Sequence, residues 1–157
     1  MQLQTNQLTL EHKREVVKRV IDHKSQQFEA FERAQREKLE SSNRSSSDKN
    51  DLVESPREQM MDEISMRSEV LDQMQTDLDI LRSLPLEAAH NEIALGTLVR
   101  TNRGDFLVAV ADRRQPAESN MPIGVSAESP IFKAMEGKKI GDQFDLRDRT
   151  YEIEDLV

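Results

Sequence analysis

The chain has 157 residues, enough for one ordinary domain or for a long helical hairpin followed by a small one. A third of the residues are charged and only 4% are aromatic, so there is much helix surface and little material for one large core. Net charge is −8, and neither part has a basic excess: residues 1–89 carry 13 Lys+Arg against 18 Asp+Glu, and residues 90–157 carry 9 against 12. Unaided nucleic-acid binding is therefore disfavoured. There is no cysteine, so disulfides are excluded. No apolar run is long enough to span a bilayer, and the first residues lack the apolar core of a signal peptide, so a cytoplasmic protein is expected.

The first predicted helix starts near Leu8 to Leu10, with Thr9 as a cap, and runs to about Glu40. Its apolar stripe is Leu10, Val17, Val20, Ile21, Phe28 and Phe31, interrupted by Lys24. A connector follows, Ser41 to Ser47, with five serines in seven residues; it reads as flexible and solvated. Ser55 is then a helix cap, Pro56 the first helical residue and Glu58 the capping-box partner. The second helix runs to about Ser83, with Pro85 stopping it. Its seam has a heptad period: Ile64, Leu71 and Leu78, and beside them Met60, Arg67, Met74 and Leu81. Two consecutive seams of similar length predict an antiparallel hairpin over 1–85, its tip near 41–58. The competing arrangement is a parallel homodimer of single helices.

Three acids, Asp48, Asp51 and Glu54, stand at a spacing of three at that tip. Acids just before a helix are favourable partners of its dipole, which is explanation enough for them as residues. They are also a carboxylate set able to meet a partner's metal ion. The three histidines, His12, His23 and His90, do not form a metal-ligand set in the sequence.

Residues 86–91 are a linker, and from Glu92 the period becomes alternating. Strands are predicted at Thr97–Thr101, Phe106–Ala111, Met121–Ser126, Gln143–Leu146 and Thr150–Leu156. The first two flank Asn102-Arg103-Gly104-Asp105, a hairpin turn with glycine where a positive φ is required. A short helix opens at Ser129-Pro130 and ends at Gly137. Five strands and one helix over 92–157 make a small α+β domain, with Phe106, Phe132, Phe144 and Tyr151 in its core. The fold class is α+β: a long N-terminal hairpin, then this domain.

The stretch Ile123-Gly-Val-Ser-Ala-Glu-Ser-Pro-Ile-Phe-Lys-Ala-Met-Glu-Gly-Lys-Lys-Ile-Gly-Asp142 resembles the FKBP-like domain of the Gre family, bacterial transcription elongation and transcript-cleavage factors. That family shows a strand, Ser-Pro opening a helix, then Gly-Lys-x-x-Gly-Asp before another strand. These are here Ser129-Pro130, Gly137-Lys138 and Gly141-Asp142; Gly96 and Tyr151-Glu152-Ile153 also fit. The family's coiled-coil tip, Gly-Asp-Leu-x-Glu-Asn-x-Glu-Tyr, is matched by Asn50-Asp51-Leu52-Val53-Glu54-Ser55-Pro56-Arg57-Glu58. The acids are kept; the glycine, the asparagine and the Glu-Tyr pair are not.

The resemblance implies a factor without catalysis of its own that enters the secondary channel of RNA polymerase. Asp51 and Glu54, with Asp48 as an alternative register, would share a magnesium ion at the polymerase active site. Glu128, Ser129 and Pro130 would touch a coiled coil of the largest subunit. RNA and DNA would be met only through the polymerase, and no cofactor would be bound by the chain alone. The alternatives are a channel regulator that inhibits without cleavage, a structural or chaperone-like coiled-coil protein, and an FKBP-like peptidyl-prolyl isomerase, which the scarcity of aromatics disfavours.

Overall fold

The computed structural model describes residues 7–46, 54–112 and 121–157, with the side chains of 42–46 and 54–57 left aside. Its elements, in chain order, are α1 (Leu10–Ser46), α2 (Glu54–Arg82), β1 (Leu98–Thr101), β2 (Gly104–Ala109), β3 (Ile123–Ser126), α3 (Pro130–Met135), β4 (Gln143–Leu146) and β5 (Arg149–Leu156). The α+β class and the order of two long helices, then five strands with one short helix, are those expected from the periodicity. Internal contacts divide the chain into two units, one of residues 1–20 with 80–157 and one of residues 21–79.

In the unit of residues 21–79, α1 and α2 run antiparallel. The half-buried positions on α1 include Ile21, Lys24, Phe28, Phe31 and Gln35, and those on α2 are Ile64, Arg67, Leu71, Met74 and Asp77, with Leu78 fully buried. These are the heptad seams, with the expected polar intruders Lys24 and Arg67; Met60, expected on the α2 seam, is exposed instead. Lys24 meets Asp77 across the helices at 4.0 Å, both side chains about one-fifth exposed. Arg67 pairs with Glu63 one turn back, and Glu63 also lies 3.8 Å from Lys38 of α1. The Lys38–Glu63 pair is about 60% exposed on both sides, so water screens it and it adds little; apolar burial along the seam holds the helices together.

Two expectations near the hairpin's connection are corrected. The serines from Ser41 to Ser46 are the last turns of α1, not a loose connector. Serine costs only a few tenths of a kcal/mol in a helix, and a helix already running extends more easily than one starts. The second helix begins at Glu54, so Ser55 stands within its first turn and not at its cap. Proline is tolerated there, because first-turn N–H groups have no partner within the helix.

In the other unit the strands form one sheet of order β3-β2-β1-β5-β4, antiparallel except for the parallel β2–β3 pair. One face buries Val99, Phe106, Val108, Val125, Ile153 and Leu156 against Phe132 and Met135 of α3. Tyr151 stacks on Phe144 with ring centroids 4.9 Å apart and meets Phe106 edge-on at 6.2 Å. The residues alternating with these, Leu98, Leu107 and Ala109, are buried as well, so the sheet is covered on both faces. Within the same unit Leu8, Val16 and Val17 of the chain's start, and Leu81 and Leu84, are buried too. The turn at Gly104 has φ +125°. The β4–β5 turn is Arg147-Asp148, both left-handed at φ 49° and 62°, the signature of a type I′ hairpin made without glycine.

Three polar features hold the start of α1. Thr9 is its cap, its hydroxyl accepting the His12 N–H at 3.1 Å. The buried Asp155 carboxylate on β5 accepts the Leu8 N–H at 2.6 Å and the Leu156 N–H at 2.9 Å. The Arg14 guanidinium donates to the Leu86 carbonyl at 2.8 Å. Lys13, one seam step past Leu10, is fully buried, and its ammonium has no hydrogen-bond partner among the described residues. Burial pushes its pKa below the ordinary 10.5. The pKa of nearby His90 is lowered from 6.5, by burial first and by the Lys13 charge second. The hydroxyl of buried Thr97 accepts the Ala94 N–H at 3.0 Å and contacts His90 Nδ1 at 2.7 Å.

Two predictions follow from these contacts. Asp155→Ala should lower unfolding free energy by about 1–3 kcal/mol, the cost of leaving buried donors unpaired; urea melts of the two proteins compare it. Lys13→Met should raise stability. A base with a lowered folded pKa binds fewer protons folded than unfolded, so its contribution improves as pH rises toward its unfolded value. The advantage of Lys13→Met should therefore shrink as pH climbs toward 10.5, and the His90 contribution should deteriorate as pH falls below 6.5. Melts across pH 5 to 10 with Lys13→Met and His90→Gln test both directions.

Candidate functional site

Glu128, Ser129 and Pro130 lie where β3 hands over to α3. Ser129 has extended backbone, φ −69° and ψ 145°, and caps the helix by accepting the Phe132 N–H at 3.2 Å. Its hydroxyl donates to the Ser126 carbonyl at 2.7 Å, which joins the cap to the end of β3. Pro130 follows with its fixed φ, at a position whose N–H would have had no helical partner. Glu128 and Pro130 are exposed and Ser129 is half-buried. The motif is thus a structural cap that leaves an acid and a proline ring on the surface.

A groove of about 320 Å³ opens beside this cap. Phe106, Ile123, Pro130 and Ile131 provide its apolar wall, and Leu146 and Arg147 of the β4–β5 turn form its far rim. Gly124 lines it for a steric reason: a Cβ there would come within 2.3 Å of the Val110 carbonyl oxygen. The Gly124 carbonyl takes the Asp112 N–H at 2.9 Å, so β3 lies too close to the chain leaving β2 for any side chain. An apolar groove that also carries Ser126, Ser129, Asp112 and Arg147 suits a protein side chain or a short apolar segment.

The groove's far rim was missed by sequence reading. Arg147 and Leu146 are more than 15 positions from Pro130, and β4 is at the opposite sheet edge from β3, so only the packing of α3 against β4 brings them together. Phe106 was legible as core, but not as part of a groove wall. Of the tip acids, Asp48 and Asp51 lie outside the described residues, and Glu54 is the first residue of α2. Among the described residues no three His, Asp or Glu side chains converge on a point that could hold a metal ion. No helix among them is long and apolar enough to cross a membrane.

No family model matches the chain, and no curated protein matches it. Solved structures are similar to it over most of its length. One, described as the structure of the transcription factor Gfh1, is 16% identical, with 90% of this chain and 91% of that chain covered and a TM-score of 0.33. GreA factor homolog 1 (Gfh1) of Thermus thermophilus is 18% identical over 91% and 93%, with a TM-score of 0.33. Gfh1 of Thermus aquaticus is 16% identical over 90% and 92%, with a TM-score of 0.32.

The cap itself can be tested without any partner. Ser129→Ala should destabilise the protein by about 1 kcal/mol, the usual worth of an N-cap, while Ser129→Asp should keep most of it. Urea denaturation distinguishes the two; equal loss in both variants would mean that the bond to Ser126, and not the cap, matters.

Proposed function

We propose that this chain is a transcription factor of Gre type that binds RNA polymerase and works through the secondary channel. The observation that carries the reading is the Gre-like segment Ile123–Asp142. Its Ser129-Pro130 pair stands as an exposed helix cap on the rim of an apolar groove, on a small α+β domain joined to a helical hairpin. A cap that needs only the serine hydroxyl leaves Glu128 and Pro130 free for contact. The groove beside them gives an apolar side chain of the partner somewhere to go.

In this reading the globular domain anchors the factor and the hairpin carries its acids, Asp51 and Glu54, with Asp48 as the other register, into the polymerase. Carboxylate oxygens suit magnesium, which takes one or two carboxylates from any one source. Two acids are too few for a tight site of their own, so the ion would be held mainly by the polymerase, where it helps cut backtracked RNA. The factor has no catalysis of its own and works in the cytoplasm.

Two experiments test this. Glu128→Ala with Pro130→Ala should weaken binding to bacterial core polymerase about tenfold or more while far-UV helicity is unchanged; equal affinity would remove these residues from the contact. Asp51→Asn with Glu54→Gln should abolish stimulated cleavage of backtracked RNA without weakening binding, measured at several magnesium concentrations. If the wild type binds stalled complexes and only slows elongation, the chain is a channel inhibitor and the cleavage role falls.

A further inference from the structure

The chain has no cysteine and seven methionines, so thioethers are its only oxidisable sulfurs. Four of the seven, Met60, Met61, Met66 and Met74, stand on α2. The fold grades their access to water. Met61 and Met66 are each 67% exposed, Met60 is 37% exposed, Met74 is half-buried, and Met135 of α3 is fully buried. Met61 and Met66 lie off the heptad seam. Met60 differs from both. It holds a seam position, and it lines a cavity of about 50 Å³ with Leu39 of α1 and with Ile64, one turn further along α2. Among the described side chains, Leu39 and Met60 are the apolar residues of the two helices nearest their connection. The cations that also line the cavity, Lys38 and Arg67, both face Glu63, at 3.8 and 3.7 Å. Met60 is therefore open enough for a small oxidant to reach, and covered enough to matter to the helix pair.

We propose that Met60 is a site of reversible oxidation by hydrogen peroxide, and that its sulfoxide loosens the hairpin at the end nearest the connection. The thioether sulfur attacks one peroxide oxygen; the O–O bond breaks, an S–O bond forms and water leaves. Sulfur gives up two electrons and the peroxide accepts them. A thiol-dependent sulfoxide reductase reverses the step: two thiols become a disulfide and the oxygen leaves as water. The oxidised side chain is polar where Leu39 and Ile64 had an apolar neighbour, and the nearby cations already serve Glu63. Apolar burial holds the seam, so the loss falls on the turns around its end. The same oxidation at Met61 or Met66 adds a polar group to a face already in water and leaves the seam intact. The inference concerns the hairpin alone and stands whether or not the chain binds polymerase.

The test treats the full-length protein with hydrogen peroxide. Wild type is compared with Met60→Leu, with Met60→Gln, and with Met61→Leu combined with Met66→Leu. Peptide mass spectrometry follows the oxygen gained at each methionine. Met61 and Met66 should oxidise fastest, Met60 more slowly, and Met135 not until the protein unfolds. As Met60 converts, amide hydrogen exchange across residues 60–67 should speed up about tenfold, in wild type and in the Met61→Leu, Met66→Leu variant alike. Met60→Leu should keep its protection under peroxide. Met60→Gln, a polar chain of similar length, should exchange faster with no oxidant present. A sulfoxide reductase should return oxidised wild type to its starting protection. If Met60 stays reduced once Met61 and Met66 are fully oxidised, it is not the site. Unchanged exchange with Met60 fully oxidised, or equal speeding in Met60→Leu, overturns the loosening.

Discussion

A buried carboxylate joins the two ends of this chain. Asp155 on the last strand spends one oxygen on the Leu8 N–H and the other on the Leu156 N–H, so the entry into α1 is bound to β5. A carboxylate in that position must have both oxygens occupied, since a buried acceptor without donors would cost more than the bond returns. With Thr9 capping the helix directly afterwards, the start of α1 belongs to the same folded unit as the sheet. Contacts separated by 147 positions are slow to form and decisive once made.

Polar residues in apolar places recur, and they are handled differently. Lys24 interrupts the α1 seam but finds Asp77 on the facing helix, and Arg67 interrupts the α2 seam but keeps Glu63 on its own. Lys13 is buried and finds no partner among the described residues, so its charge is disfavoured; protonated His90 is disfavoured too, by burial first and by Lys13 second. Paired intruders cost little and can specify how helices align; an unpaired one is a net cost.

The small domain separates structure from contact. Ser129 holds α3, Gly124 permits close approach of two backbones, and the Arg147-Asp148 turn completes the groove. Ser129 and Gly124 do so half-buried, whereas Arg147 and Asp148 are exposed. Also on the surface are Glu128 and Pro130 at one end of α3 and Ile140 beyond the other.

What the sequence determined alone was local. Heptad spacing placed Ile64, Leu71 and Leu78 on one seam, alternation placed the five strands, and Ser129-Pro130 and Thr9 marked their caps, because each signal depends on neighbours within a turn or two. Helix ends escaped: Ser41 to Ser46 have loop-like composition, but a growing helix carries mildly unfavourable residues along. The tip acids were legible as a spacing, and Glu54 is seen only as the residue that opens α2. Tertiary structure decided the rest. Arg147 lines a groove with Pro130 because α3 packs against β4, and Lys13 is buried because the start of α1 belongs to the sheet's unit. Asp155 becomes a strut only when residue 8 arrives beside it. Each is a meeting of distant segments, and a pattern read along the chain has no term for a neighbour that only folding supplies.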